Sequence, residues 1–451
     1  MKLHFLTHQK MTESREFDKS EYTKVPLKEI NKSHILQKIH SFGWVYNRRN
    51  AGQAGCFINM FAQYKILKCL YPHKIDADNL TRWTSMDFYG TVKENFTKDG
   101  AEVEFHIDHY DVRKIAPSFP VNKDTQAFSL LENGHLALRT PERIFFLKAR
   151  SYMLRCFREF FYEREFTEIT PPTLVQTQVE GGSTLFKLDY FGKKAFLTQS
   201  SQLYLETVVP VAMKAYCMVY SYRAEKSNTT RHLTEYTHVE AELADICFDD
   251  LLSVIEDMVY TVVTGFYEKM REDILELCPD YEFFEFKRPF KRISYKDAIK
   301  YFNDAGYKKD NGLEFVLGDD IPDAAEVFLV KSYADNTPLF LTNFETAAKP
   351  FYMKTTDDPK YTESADLLFP NIGEILGGSM RKEEYQELID GFEREGIDSK
   401  PYYWYTDMAR FGPCTHGGFG LGFERLLVGL MRWKNVAKGC LYPRFVTRCH
   451  P

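Results

Sequence analysis

No stretch of this chain approaches the roughly 18 uninterrupted apolar residues that a membrane-crossing helix needs, and the start, MKLHFLTHQKMTESREFDK, has no apolar segment of the kind a secretory leader carries. A membrane protein and a secreted one are therefore not expected. Nine cysteines are present, an odd number, and no two are spaced CxxC. That pattern argues against a disulfide framework and against a zinc site, and it favours a reducing compartment; a cytosolic protein is the expectation. Strong charge of either sign is also missing: the net −6 excludes a generally cationic nucleic-acid binder, so any contact with RNA has to use a local basic surface. Internal repeats, low-complexity tracts and coiled-coil heptads are absent as well.

What is present is an ordinary globular composition, 44% apolar and rich in aromatics, on 451 residues. That length exceeds what one hydrophobic core usually supports, so two domains are expected. Residues 1–32 are polar and without period and read as an N-terminal extension, partly disordered. From 33 to 116 short alternating segments (FGWVYNRR, AGCFINMFAQ, MDFYGTVKE, AEVEFHIDHYDV) predict a small β-barrel. A proline-containing linker over 117–140 follows. Residues 141–451 then read as a second, larger domain, opening with a helix from about Glu142 to Phe166 that closes at Pro171 and Pro172. A second amphipathic helix is expected over Asp250–Met270 and a third from near Ser294. Residues 273–335 read as scaffold.

The richest stretch is YRAEKSNTTRHLTEYTHVEAELA, Tyr222 to Ala244. It reads as two strands joined by a cationic loop. Arg223 and Arg231 offer planar forks to phosphate, Glu225 and Glu235 accept from amino or amide groups, and Tyr236 gives a face on which a purine can stack. Taken alone, the same residues also fit an exposed hairpin laced with surface ion pairs.

This segment resembles motif 2 of the class II aminoacyl-tRNA synthetases, in the form used by the aspartyl/asparaginyl subgroup. HGGFGLGFERLLVGL, His416 to Leu430, resembles motif 3 of that family, and the 142–166 helix with its prolines resembles motif 1, which forms much of a dimer interface there. The resemblance implies an α+β architecture: an N-terminal OB-fold barrel that reads an anticodon, then an antiparallel-sheet catalytic domain flanked by helices, in a homodimer. It further implies that Arg223 holds the ATP α-phosphate and the substrate carboxylate, and that Arg425 clamps the γ-phosphate. Arg231, His232 and Leu233 would line the phosphate tail, and Tyr236, Gly422 and Phe423 the adenine side, with Glu225 at the nucleotide. Asp366 and Glu374 in SADLLFPNIGEILGGSMR match the acidic pair that holds Mg2+.

For the amino acid, the resemblance places Glu180 of VEGGSTLF at the substrate ammonium, and the segment QSSQLYLE, with Gln199, Ser201 and Gln202, as a pocket strand. Arg381 would donate to a side-chain oxygen and Glu225 accept from an amide nitrogen. Aspartate and asparagine are nearly isosteric, so charge has to separate them. Aspartyl members carry a lysine three residues after the glutamine matching Gln202; here that position is Leu205, and the ending LYPRFVTRCHP resembles the asparaginyl branch. The implied reaction is ATP-dependent activation of asparagine and its transfer to tRNA(Asn), with no covalent enzyme intermediate and the thiols structural. An aspartyl-specific or dual-specificity enzyme, an asparagine-forming relative and a catalytically silent RNA-binding protein are the competing readings. In the barrel, Arg48, Arg49 and Phe57 lie where anticodon contacts are expected, although Phe57 could equally fill the barrel.

Overall fold

The computed structural model describes residues 17–75, 80–97, 100–122, 124–180, 184–226 and 229–450. The chain divides into two compact units, 1–130 and 131–451. Among the described residues no helix is long and apolar enough to cross a membrane.

In the first unit, strands Lys38–Asn50, Cys56–Ala62, Lys65–Tyr71, Gly100–Lys114 and Ser85–Thr97 pair in that order. The last pairs back onto the first along Lys38–Trp44, so the sheet closes into a five-stranded barrel. Alternation builds it: Ile39, Val45, Ile58, Met60, Phe88 and Phe105 point inward and are fully buried. The expected extension is partly barrel. Thr23–Lys24 adds a short parallel strand to Ile39–His40, and Leu27 and Ile30 enter the barrel core. The aperiodic sequence concealed this because a single short turn, Leu27–Glu29, with its capping residue Ile30, supplies both apolar groups. Residues 1–16 lie outside the described part of the chain.

The second unit is built on an eight-stranded sheet. Six strands run antiparallel in the order Leu339–Thr342, Ser364–Phe369, Gly373–Met380, His416–Gly422, Glu235–Ala244 and Lys214–Tyr222. Lys291–Ser294 and Thr167–Glu168 add in parallel at the two edges. Helix Pro141–Glu163 starts with proline at its first position, where the missing N–H costs nothing. It buries Phe145, Phe146, Met153, Phe157, Phe160 and Phe161 in a core shared with the sheet and with helix Phe248–Leu277. At about 1.5–3 kcal/mol per buried large side chain, this cluster is the main force holding the helices to the sheet. Helix Phe248–Leu277 outruns the expected 250–270 because Met270 and Ile274 carry its buried stripe further. The expected linker contains two short helices, Ala127–Glu132 and Gly134–Ala137.

One element differs in kind. The segment QSSQLYLE, residues 199–206, expected as a pocket strand, runs instead into a helix, Gln202–Ala212, whose buried residues Gln202, Leu203, Leu205, Glu206 and Val209 follow a 3–4 spacing. The helix's apolar, β-branched run VVPV masks that period.

Candidate active site

Two adjoining cavities open on the central strands of the second unit, of about 290 and 340 Å3, and they share Arg223, His238, Glu374 and Gly420 in their walls. Arg223 follows directly on the strand Lys214–Tyr222. Its Nη2 lies 2.7 Å from Glu180 Oε2 and its Nη1 3.7 Å from Glu225 Oε1. The Nε is buried with no hydrogen-bond partner among the described residues, so this arginine keeps an unused donor. Its charge is held firmly by Glu180 and Tyr236, which raise its pKa further.

The first cavity is lined by Arg223, Glu225, Arg231, His232, Leu233 and Tyr236, and on its far side by Glu374, Gly422 and Arg425. Arg425, in the first turn of helix Phe423–Leu430, donates to the Glu374 carbonyl at 3.0 Å and to its carboxylate at 3.2 Å. Arg231 is engaged by Asp323 at 2.6 Å and Glu326 at 3.5 Å. Glu326 also accepts from the Glu374 amide at 2.9 Å, a partner nothing in its sequence neighbourhood announced. Phe423 does not reach this cavity. It is fully buried, packed on Phe157 and under Arg150, because a helix entering the core turns its first residue inward. Ser227 and Asn228, in the loop between the hairpin strands, lie outside the described residues.

The second cavity is lined by Glu180, Gln202, Leu205, Tyr352, Glu242 and Arg381, and by the pair Asp366 and Glu374. Gln199 fixes the segment carrying Glu180, its carbonyl accepting from the Val179 and Glu180 amides at 3.2 Å; residues 181–183 lie outside the described part. Two residues expected here are elsewhere. Ser201 sits at the helix start with its amide on Glu240, and the serine facing the cavity is Ser200. Glu225 faces the first cavity, toward His232, and the acid that meets Arg381 is Glu242, at 2.9 and 3.0 Å in a two-pronged pair. Burial, only partly offset by Arg381, pushes the Glu242 carboxyl up to about 7. His238, Glu240 and Glu242 recur at every second position of a strand buried on both faces. Three polar groups at that spacing were the signal available for Glu242.

Glycine makes the approach possible. A Cβ at Gly418 would stand 1.9 Å from Glu242 Oε2, and one at Gly420 would stand 2.4 Å from His238 Nε2.

Asp366 and Glu374 occupy adjacent strands and both face Gly377, whose Cβ would lie 3.3 and 3.7 Å from their oxygens. Burial comes first in raising the Asp366 carboxyl to about 6, with the Glu374 charge adding to it and Lys349 opposing. Two partly buried carboxylates beside one another form a donor set that a hard divalent cation would relieve.

In the barrel, Phe57 is half-buried on the outer face opposite exposed Arg49, and it is not part of the barrel core. Arg48 turns the other way, its Nε donating to the Leu80 carbonyl at 2.8 Å.

Residues 127–446 match the family described as tRNA synthetases class II (D, K and N). A probable cytoplasmic asparagine--tRNA ligase of Encephalitozoon cuniculi (strain GB-M1) is 56% identical over 439 residues, 96% of each chain. The cytoplasmic asparagine--tRNA ligase of Homo sapiens is 43% identical over 429 residues, 92% of this chain and 77% of that one. The Entamoeba histolytica asparaginyl-tRNA synthetase in complex with asparaginyl-adenylate superposes with a TM-score of 0.86 at 36% identity, over 95% of this chain and 99% of that one. By sequence and by fold, this chain belongs to the asparaginyl branch of the class II tRNA synthetases.

Proposed function

We propose that the protein is a cytoplasmic asparagine–tRNA ligase that activates asparagine with ATP and passes it to the 3′ end of tRNA(Asn). The observation that supports this most directly is Arg223, which faces both cavities and keeps a buried Nε with no hydrogen-bond partner among the described residues. A carboxylate and an α-phosphate meeting beside it would share one fixed cation at the point where negative charge develops.

In this reading the asparagine carboxylate oxygen attacks the α-phosphorus, the bond to pyrophosphate breaks, and asparaginyl-adenylate forms. A terminal ribose hydroxyl of the tRNA then attacks the acyl carbon, and AMP leaves. Glu180 takes the substrate ammonium, Arg425 and His232 the phosphate tail, and Tyr236 stacks on the adenine with its hydroxyl kept protonated by burial. Asp366 and Glu374 would hold Mg2+, which would share the phosphate charge when bound.

At the side chain, Arg381 donates to the amide oxygen of asparagine while Glu242, already committed to Arg381, opposes a second carboxylate. Leu205 forms apolar wall where a lysine would welcome aspartate. On the barrel, Phe57 and Arg49 are the anticodon contacts we propose, by stacking and phosphate attraction. A homodimer is proposed as well; Tyr162, Phe191 and Val211, all more than four-fifths exposed, are apolar surface for it, and sedimentation of the purified protein tests it.

The test of the activity is aminoacylation of total tRNA with labelled asparagine or aspartate. Labelling by asparagine alone supports the reading, and labelling by aspartate alone overturns it.

A further inference from the structure

Behind Arg381 and Glu242, on the asparagine side of the cavity, lie two further ionised groups, Glu206 and His416, that the reaction above does not touch. Gln202 lines the cavity and donates its Nε2 to Glu206 Oε1 at 2.9 Å, one helical turn further on. Glu206 is 3% exposed. Its other oxygen accepts from the Tyr405 hydroxyl at 2.8 Å and meets His416 Nε2 at 3.0 Å.

The protonation of His416 follows from its partners. Nδ1 lies 2.7 Å from the Cys414 carbonyl, which only accepts, so Nδ1 carries a proton. Nε2 faces a carboxylate, which also needs a donor. The ring is therefore an imidazolium, with no lone pair left for a metal ion. Arg381 closes the layer, with Nε 2.9 Å from Glu242 and 3.9 Å from Glu206. Atoms of Glu206, Glu242 and His416 all come within 4.8 Å of one another.

With Glu242 ionised in its two-pronged pair with Arg381, the cations Arg381 and His416 face the anions Glu206 and Glu242, and the layer is neutral overall. An uncompensated buried charge is strongly disfavoured, so a neutral layer suits a neutral amide and not a carboxylate. Remove Glu206 and one positive charge is left over beside the substrate side chain. Aspartate is the ligand that would match it.

We propose that Glu206 is a specificity-determining positioning residue: it cancels the charge of His416 beside Arg381, so that the pocket has no surplus cation for aspartate, and it holds the Gln202 amide at the cavity wall. This rests on the asparagine-activating reading above.

The test is ATP–pyrophosphate exchange with asparagine and with aspartate on the wild type, Glu206→Gln, His416→Gln and the double variant. Glu206→Gln is expected to raise the aspartate-to-asparagine ratio of kcat/KM by roughly tenfold or more. The double variant removes one charge of each sign and is expected to bring that ratio back toward the wild type. His416→Gln alone leaves a surplus anion, so inhibition by aspartate should weaken more than KM for asparagine rises; this arm decides the matter even where Glu206→Gln does not accumulate as folded protein. A purely structural role would lower asparagine exchange in every variant with the ratio unchanged and the double variant no better than the worse single one, and that result overturns the proposal. Wild-type exchange with aspartate alone would instead overturn the asparagine reading itself.

Discussion

Arg223 and Glu180 meet at 2.7 Å across the mouth of the amino-acid cavity, and the same guanidinium faces the nucleotide cavity. In the proposed function one side chain thereby links the two substrates. Arg223→Ala is expected to lower ATP–pyrophosphate exchange by about 10²–10³-fold while leaving the thermal unfolding midpoint nearly unchanged, since the residue sits at a cavity wall. An equal loss of stability and activity would assign it a structural role instead.

The strand His416–Gly422 is packed too tightly for a methyl group at several positions, Gly418 above all. Gly418→Ala would place its Cβ 1.9 Å from Glu242 Oε2 and 2.3 Å from the Ala241 carbonyl. Overpacking of this kind costs about 1–3 kcal/mol, and it would also displace the acid that holds Arg381. Urea denaturation of the catalytic unit should show the loss, and exchange with asparagine should fall with it.

His416 ties stability to pH. Burial alone would lower its pKa, but the Cys414 carbonyl, Glu206 and Glu242 outweigh that and raise it well above the ordinary histidine value. The groups facing the ring layer are Glu206, Glu242, Tyr405 and Arg381. A folded-state pKa above the unfolded one gives stability that is complete below about pH 6.5 and is lost as pH rises through the raised value. Denaturation midpoints measured between about pH 6 and 9 should therefore fall with pH more steeply in the wild type than in His416→Gln. Equal slopes would show that the ring is not charged.

Phe57 stands on the outer face of the barrel, clear of its core. Phe57→Ala is expected to raise KM for tRNA(Asn) in aminoacylation, by the roughly 1–3 kcal/mol that base stacking on an aromatic ring contributes. Circular dichroism of the variant should match the wild type; a collapsed barrel signal would return Phe57 to a packing role.

Much of this was legible in the sequence for a local reason. Arg223, Arg231, His232 and Tyr236 belong to one hairpin, and Arg425 and Gly422 to one strand-to-helix turn, so short-range pattern was enough to group them. The helix at Gln202–Ala212 was not legible, because valines and a proline obscure its period while tertiary packing of Leu203, Leu205 and Val209 decides it. Phe423 and Phe57 show the limit of reading burial from residue type: the first turns into the core and the second out of it. The Glu206–His416 pair joins residues 210 positions apart, and only the folded sheet brings them together.

The central claim is that this pocket activates asparagine and refuses aspartate, and ATP–pyrophosphate exchange tests it most directly, run with each amino acid on the wild type and on Leu205→Lys. The account predicts exchange with asparagine alone in the wild type. In Leu205→Lys, whose new cation enters the wall beside Gln202, it predicts weakened asparagine exchange and measurable exchange with aspartate. Wild-type exchange with aspartate, or with neither amino acid in a folded protein, would contradict it.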